Sequence, residues 1–314
     1  MTYNSQLPAE TARGHFERQA SAFANRLSAD GSSGWAAEPG RYHLYVSLAC
    51  PWAHRAVIVR QLKGLQDVVS MSVVDPLRDE RGWAFREGRG HGTDPVNGFA
   101  FLAEAYAATD PAFAGRFTVP TLWDRQTHRI ATNGFRTLDA DLATQFDAHA
   151  EHPDVDLYPA ASRDEIDALD EVVYDDVNNG VYKAGFAGTQ EAYEEAVQAL
   201  FARLDQLDER LAQQRFLVGE TLTVADIRLF TTLVRFDTVY AVHFKCNRRR
   251  VVDYPNLWGW LRECYQRPGF GDTTDFDHII RHYYLTHQHL NPGGIVPVGP
   301  DLDWAAPHGR DRVG

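Results

Sequence analysis

The chain has 314 residues, 44% of them hydrophobic and 24% charged, and a formal net charge of −12. That length predicts two domains rather than one core, no apolar run reaches a membrane span, and the acidic balance argues against a nucleic-acid surface. Three scattered cysteines, Cys50, Cys246 and Cys264, make no disulfide framework and predict a reducing, cytoplasmic setting.

The N-terminus, "MTYNSQLPAETARGHFERQ", is polar and carries no apolar h-region, so a secretory signal is not expected. Residues 1–38 read as a polar arm with a short amphipathic piece at 16–27, ending in the loop "ADGSSGWAAEPG". A first domain is expected over 39–148. Within it "YHLYVSLA" fits a strand, Pro51 to Leu62 has helical spacing with Gly64 as a stop, and "DVVSMSVVDP" is a second β-rich run. Strand, helix and strand in that order favour a parallel pair with a right-handed crossover.

An irregular insert follows at 77–116, with one helix expected at 99–108. It is long for a plain connection, which predicts a functional or capping role. "FTVPTLWDRQTHRIAT" reads as two short strands around a turn at 125–128, and a helix over 133–146 closes the domain. The order β-α-β, insert, β-β-α is the thioredoxin arrangement, an α+β sheet with an antiparallel pair at its end.

Beyond a linker at 148–162 the pattern turns helical, which predicts an all-helical domain over 149–290. Helices are expected at 163–178, 190–213, 222–240 and 257–267. Thr223 followed by Asp226 is a capping-box start. Residues 291–314, opening with "NPGGIVPVGP", read as an extended tail. Neither an internal repeat nor a low-complexity tract is present.

The chemistry centres on Cys50. If the strand ends at Ala49, Cys50 is the helix N-cap and Pro51 the first helical residue, where a missing N–H costs nothing. The free N–H groups and the positive end of the dipole then face the sulfur, an arrangement that lowers a thiol's pKa. A lone cysteine is otherwise often an inert buried hydrophobe; the strand–Cys-Pro–helix context favours the nucleophile. No Cys/His cluster with ligand spacing lies nearby, so no metal is expected. Position 53 is alanine, not the second cysteine of a Cys-x-x-Cys pair. Cys50 would therefore need an external thiol to be regenerated. Val119-Pro120, opening the next strand, suits a cis peptide that offers its backbone to a thiol ligand. Cys246 and Cys264 lack helix-entry geometry and read as packing residues.

Several motifs together, "GRYHLYVSLACPWAHR", "SVVDP", "VPTLWD", "NNGVYKAGFA", "RFDTVYAVHFKCN", "DYPNLW" and "DHIIRHYY" among them, resemble the glutathionyl-hydroquinone reductases, the Xi-class or Omega-like glutathione transferases. The resemblance runs over about 40–300. It implies a thioredoxin-like domain followed by an all-α transferase domain, assembled as a homodimer. It also implies a thiol cosubstrate, no permanently bound cofactor, and an aromatic S-conjugate as substrate. Cys50 would take the thiol from the conjugate as a mixed disulfide, and a second thiol would release it. Trp83 would pack on the bound thiol, Arg116 would face its carboxylate, and Val119 and Pro120 would present the backbone. Asn133 and Gly134 fall in the head-group motif. Tyr182, Tyr240 and Tyr283 would line the acceptor pocket, with Tyr182 and Tyr283 donating to a quinol oxygen.

One motif departs from the family's pattern. The family's Glu-Ser pair, which holds the γ-glutamyl group, is replaced in "RIATNGFRTLDADL" by Gly134 and Phe135. Charge-assisted contacts at a head group are worth about 1.5–3 kcal/mol each, so weak glutathione binding is expected. Either Asp139 or Asp141 replaces the lost acid, or the thiol is another one, such as mycothiol, which has no glutamyl ammonium. A general thioltransferase acting on mixed disulfides, and a non-catalytic binding module of the same fold, are the alternative functions; intact Cys50, Pro51, Trp83 and Pro120 speak against the second.

Overall fold

The computed structural model describes residues 14–313; positions 1–13 of the arm, and Gly314, lie outside the described residues. Two compact units emerge. The first comprises Ala20–Asp156 and Thr273–Gln288, the second residues 14–19, Leu157–Asp272 and residues 289–313.

The first unit is built on four strands, β1 (Tyr42–Val46), β2 (Ser70–Val73), β3 (Thr121–Asp124) and β4 (Arg129–Thr132), in the order β2-β1-β3-β4. β1 runs parallel to β2, with His43 opposite Ser70, and antiparallel to β3, with Leu44 opposite Leu122. Every residue of β1 is buried, so the strand reads as a continuous apolar run rather than an alternating one, as expected when both faces are covered. The one imidazole in it, His43, is accommodated because the hydroxyls of Ser70 and Ser72 meet its two ring nitrogens at 2.7 and 2.8 Å. Helix α1 (Pro51–Leu62) is the crossover from β1 to β2, and α2 (Leu102–Thr109) lies in the insert.

Helix α3 (Leu138–Thr144) begins five residues later than its sequence pattern suggests. Residues 133–137 form a turn instead, in which Gly134 O accepts from the N–H groups of Thr137 and Leu138. A further helix not expected from the sequence, α9 (Phe276–Thr286), belongs to this first unit. The compact units therefore differ from the expected limits of 39–148 and 149–290. The arm also divides, residues 14–19 falling in the second unit and 20–38 in the first.

The second unit is helical. α4 (Arg163–Val173) continues through a π turn (Tyr174–Asn178) into α5 (Gly180–Gly185), followed by α6 (Gln190–Gln213), α7 (Val224–Leu233) and α8 (Pro255–Tyr265). A second π turn, Phe236–Tyr240, interrupts the long helix expected over 222–240. The expected capping box is present: Asp226 accepts from Thr223 N at 3.0 Å and also from Leu217 N and Trp260 Nε1, which satisfies a carboxylate buried in the core. The tail is not loose at its end. Arg310 is buried and donates to the carbonyls of Leu211, Gln214 and Arg215, closing the C-terminal turn of α6. Among the described residues no helix is long and apolar enough to cross a membrane.

Candidate active site

Cys50 occupies the position its sequence context predicts. It is the N-cap of α1 with extended backbone (φ −82°, ψ 120°), and Pro51 follows as the first helical residue. Its N–H donates to Ser47 O and its carbonyl accepts from His54 N, each at 3.0 Å, so the backbone switches from strand to helix at this residue. The side chain is partly exposed and makes no capping bond to the first turn. Its Sγ lies 3.5 Å from the carbonyl of Val119, next to the cis Val119-Pro120 bond. Among the described residues none of the three cysteines is in a disulfide. Cys246 and Cys264 are completely buried in the second unit, and burial pushes both thiols up.

Asn133 is committed to the protein itself. Its two amide hydrogens go to Tyr106 Oη (2.9 Å) and Thr118 Oγ1 (3.1 Å), and its Oδ1 accepts from Phe23 N (2.9 Å). It ties β4 to the arm and to the turn before β3. Gly134 is buried, and a Cβ there would lie 3.0 Å from Thr132 Oγ1 and 3.3 Å from Thr137 Oγ1. Phe135 packs on Trp52, ring centroids 4.7 Å apart, while the guanidinium carbon of Arg55 lies 4.8 Å over the same indole. Asp141 is fully engaged: Arg26 grips both of its oxygens at 2.6–3.0 Å, and Leu27 N donates at 3.0 Å. Asp141 is thus unavailable to replace a missing head-group acid. Asp139 is buried and accepts from Ala140 N.

Trp83 lies in the insert, almost fully buried, with its ring stacked on His282 of α9 at 4.9 Å and Arg78 over it at 5.4 Å. His282 donates its Nδ1–H to Pro76 O (2.7 Å), and His278, one turn earlier, donates its Nε2–H to Arg89 O (2.7 Å). Two imidazoles of α9 therefore pin both ends of the stretch that carries Trp83. Asp94 fastens the rest, accepting from Tyr45 Oη and from the backbone of Val96, Asn97 and Phe99. Arg116 is half-buried in the loop between α2 and β3. Tyr283, also on α9, is buried with its ring against His282 and His287.

In the second unit Tyr182 and Tyr240 come together, their hydroxyls 3.3 Å apart and their rings 5.8 Å apart. Phe244 stacks on Tyr240 at 5.4 Å. Both tyrosines belong to segments with a π turn, a distortion frequent at functional sites. Sequence reasoning did not single out Phe16 and Arg18 of the arm, which pack on Tyr182, nor His278 and His282. The amphipathic spacing at 16–27 and the aspartate before "FDHIIRHYY" were the available signals.

A thioredoxin-like sheet with a cysteine at the N-cap of its first helix, followed by a helical unit, defines a glutathione transferase. Two family models agree: "Glutathione S-transferase, N-terminal domain" matches residues 49–136, and "Glutathione S-transferase, C-terminal domain" matches 190–263. Glutathionyl-hydroquinone reductase YqjG of Escherichia coli K12 is 51% identical over 305 residues, 95% of this chain and 93% of its own. Its glutathione-bound structure superposes with a TM-score of 0.90 at 50% identity, covering 93% of this chain and 96% of that one. PcpF of Sphingobium chlorophenolicum, of the same name, is 47% identical over 93% of this chain and 91% of its own. A Xi-class transferase from Natrialba magadii superposes with a TM-score of 0.92 at 48% identity, over 95% and 93% of the two chains. The chain belongs to the glutathionyl-hydroquinone reductases, the Xi class of glutathione transferases, a family of enzymes.

Proposed function

We propose that this protein reduces S-glutathionyl hydroquinones with Cys50 as nucleophile. The Cys50 thiolate attacks the thioether sulfur: a Cys50–S bond forms and the bond from sulfur to the ring carbon breaks. The attack acts on the keto tautomer of the conjugate, in which a ring hydroxyl has given up its proton and the sulfur-bearing carbon has gained one. The electron pair of the broken bond passes into the ring and onto the carbonyl oxygen, which takes up a proton to restore the hydroquinone. A second glutathione thiolate then attacks the mixed disulfide, releasing oxidised glutathione and restoring Cys50. The net change converts conjugate and thiol into hydroquinone and disulfide.

The observation that carries this reading is the placement of Cys50 at the helix entry, Sγ beside the Val119 carbonyl, with alanine where a resolving cysteine would stand. The names of YqjG and PcpF support the substrate class, and the glutathione bound to YqjG supports a thiol cosubstrate. In this assignment Trp83 packs on the thiol, Arg116 faces its carboxylate, and Val119 and Pro120 offer the backbone. Tyr182, Tyr240 and Tyr283 receive the quinol, where a phenol O–H donates to the oxygen that gains charge. Gly134, with Phe135, sets what head group the thiol carries. A homodimer working in a reducing cytoplasm completes the proposal; a chain with only three scattered cysteines supports the compartment, and light scattering of the purified protein tests the assembly.

A second reading concerns the thiol, and the surroundings of Gly134 favour it. No carboxylate stands at Gly134, the space for a Cβ is narrowed by two threonine hydroxyls, Asp141 is spent on Arg26, and the neighbouring hydroxyl position is a phenyl ring on Trp52. Mycothiol, an acetylated cysteine on an amino-sugar–inositol unit, brings no ammonium that needs an acid. The experiment is mass spectrometry of the protein after separate incubation with oxidised glutathione and oxidised mycothiol, with Cys50→Ser as control. An adduct on Cys50 with either thiol supports the enzyme reading, and a mycothiol-only adduct supports the second. Unimpaired turnover by Cys50→Ser would overturn the mechanism.

A further inference from the structure

The described part of the arm begins at Gly14, whose carbonyl accepts from Gly188 N at 2.9 Å. Gly14 has φ +82°, and a Cβ on it would lie 2.7 Å from the side chain of Thr189, so both conformation and space call for glycine. Two residues on, Phe16 is buried with its ring 5.3 Å from that of Phe186 and stacked on Tyr182 at 6.5 Å. Arg18 completes the segment. Its guanidinium carbon stands 4.6 Å from the centre of the Tyr182 ring, and its Nε–H donates to Asn179 Oδ1 at 2.7 Å. That bond holds the guanidinium over the ring.

Below the ring, the Tyr182 hydroxyl meets that of Tyr240 at 3.3 Å. Tyr240 is completely buried and Tyr182 retains slight exposure. If Tyr240 donates to Tyr182, the Tyr182 proton is directed away from the pair, and each bond strengthens the next. A cation on the face of a phenol attracts the ring more strongly as the phenol releases its proton into a hydrogen bond. That added attraction exists at the transition state and not in the ground state, which is the condition for accelerating a step rather than tightening binding.

We infer that Arg18, from the N-terminal arm, is a positioning residue for Tyr182: it fixes the ring and polarises the hydroxyl that donates to the quinol oxygen gaining charge as the carbon–sulfur bond breaks. The inference rests on the assignment of Tyr182 to the quinol. It makes the arm part of the reaction machinery.

The test is steady-state kinetics of the full chain with S-glutathionyl-1,4-hydroquinone as substrate. Arg18→Met keeps the aliphatic stem over the ring, and Arg18→Lys keeps the charge. Arg18→Met should lower kcat roughly ten-fold, the factor of a partly desolvated cation–π contact, with KM moving less than about two-fold; Arg18→Lys should recover part of the loss. In a Tyr182→Phe background Arg18→Met should cost nothing further, because the hydroxyl it acts through is gone. Equal losses in both backgrounds, or an unchanged kcat, would overturn the inference while leaving Tyr182 on the quinol. A Tyr182→Phe enzyme with wild-type kcat would instead sink the underlying assignment. Circular dichroism and melting of each variant separate a lost fold from a slowed reaction.

Discussion

Phe135 lies on the indole of Trp52, two residues beyond Cys50, with ring centroids 4.7 Å apart and planes at 50°. An aromatic pair thus stands where the proposed head-group site would otherwise offer a hydroxyl to the thiol. Phe135→Ser removes the ring and returns a donor and acceptor. Glutathione affinity should rise roughly ten-fold, the worth of one charge-assisted hydrogen bond, measured by isothermal titration. Gly134→Glu alone should behave differently, because its Cβ would meet Thr132 Oγ1 at 3.0 Å. It should destabilise the fold by about 1–3 kcal/mol, read as a lower melting temperature. Unchanged glutathione affinity in Phe135→Ser would remove Phe135 from the determinants of the thiol.

Asn133 offers a contrast, since its position in the same motif suggests a ligand contact while its amide is spent on Tyr106, Thr118 and Phe23. Asn133→Ala removes three hydrogen bonds. Tyr106 Oη and Thr118 Oγ1 still meet each other at 3.1 Å, so the principal loss is the acceptor of Phe23 N, at a cost of about 1–3 kcal/mol. The urea midpoint should drop markedly, with the KM for glutathione moving less than about two-fold in protein that remains folded. A large rise in KM at unchanged stability would instead return Asn133 to the thiol site.

The difference between these two neighbours shows what local sequence can and cannot carry. The β1–α1–β2 unit was legible because its signals are local: a β-rich run, Cys-Pro at a helix entry, and Gly64 at its end. The capping box at Thr223 and Asp226 was legible for the same reason. The start of α3 was not, because Asn133 is captured by residues far off in the chain, and the turn it enters displaces the helix to Leu138. Helix α9 was missed because its buried stripe contains His278 and His282. One ring nitrogen of each is satisfied because Arg89 and Pro76 present carbonyls to them, and nothing within 276–286 announces partners about two hundred residues away. The same holds for the site. Cys50 is identifiable from its own context, whereas Arg18 gains a role only once the fold puts it over Tyr182.

His43 provides a test of the core that supports Cys50. Burial is the main reason its imidazole is held below the usual 6.5, at about 4, with Arg125 and Arg60 adding to the effect and Asp94 opposing it. The neutral ring suits its place, since the Ser70 and Ser72 hydroxyls can each donate or accept as the tautomer requires. Between pH 6.5 and about 4 the unfolded chain binds a proton that folded His43 refuses, so stability rises with pH across that window. The contribution is complete above pH 6.5 and is lost progressively on acidification, amounting to roughly 3 kcal/mol. His243 in the second unit, also held at about 4 chiefly by burial, has the same sign. Urea unfolding of the wild type and of His43→Gln at pH 7.0 and at about pH 4.5 isolates the first contribution, because glutamine cannot titrate. The wild type should lose more stability on acidification than the variant, by most of that amount. Equal losses would mean that the folded protein takes up the proton on His43 as readily as the unfolded chain does, and that the two serines hold an imidazolium.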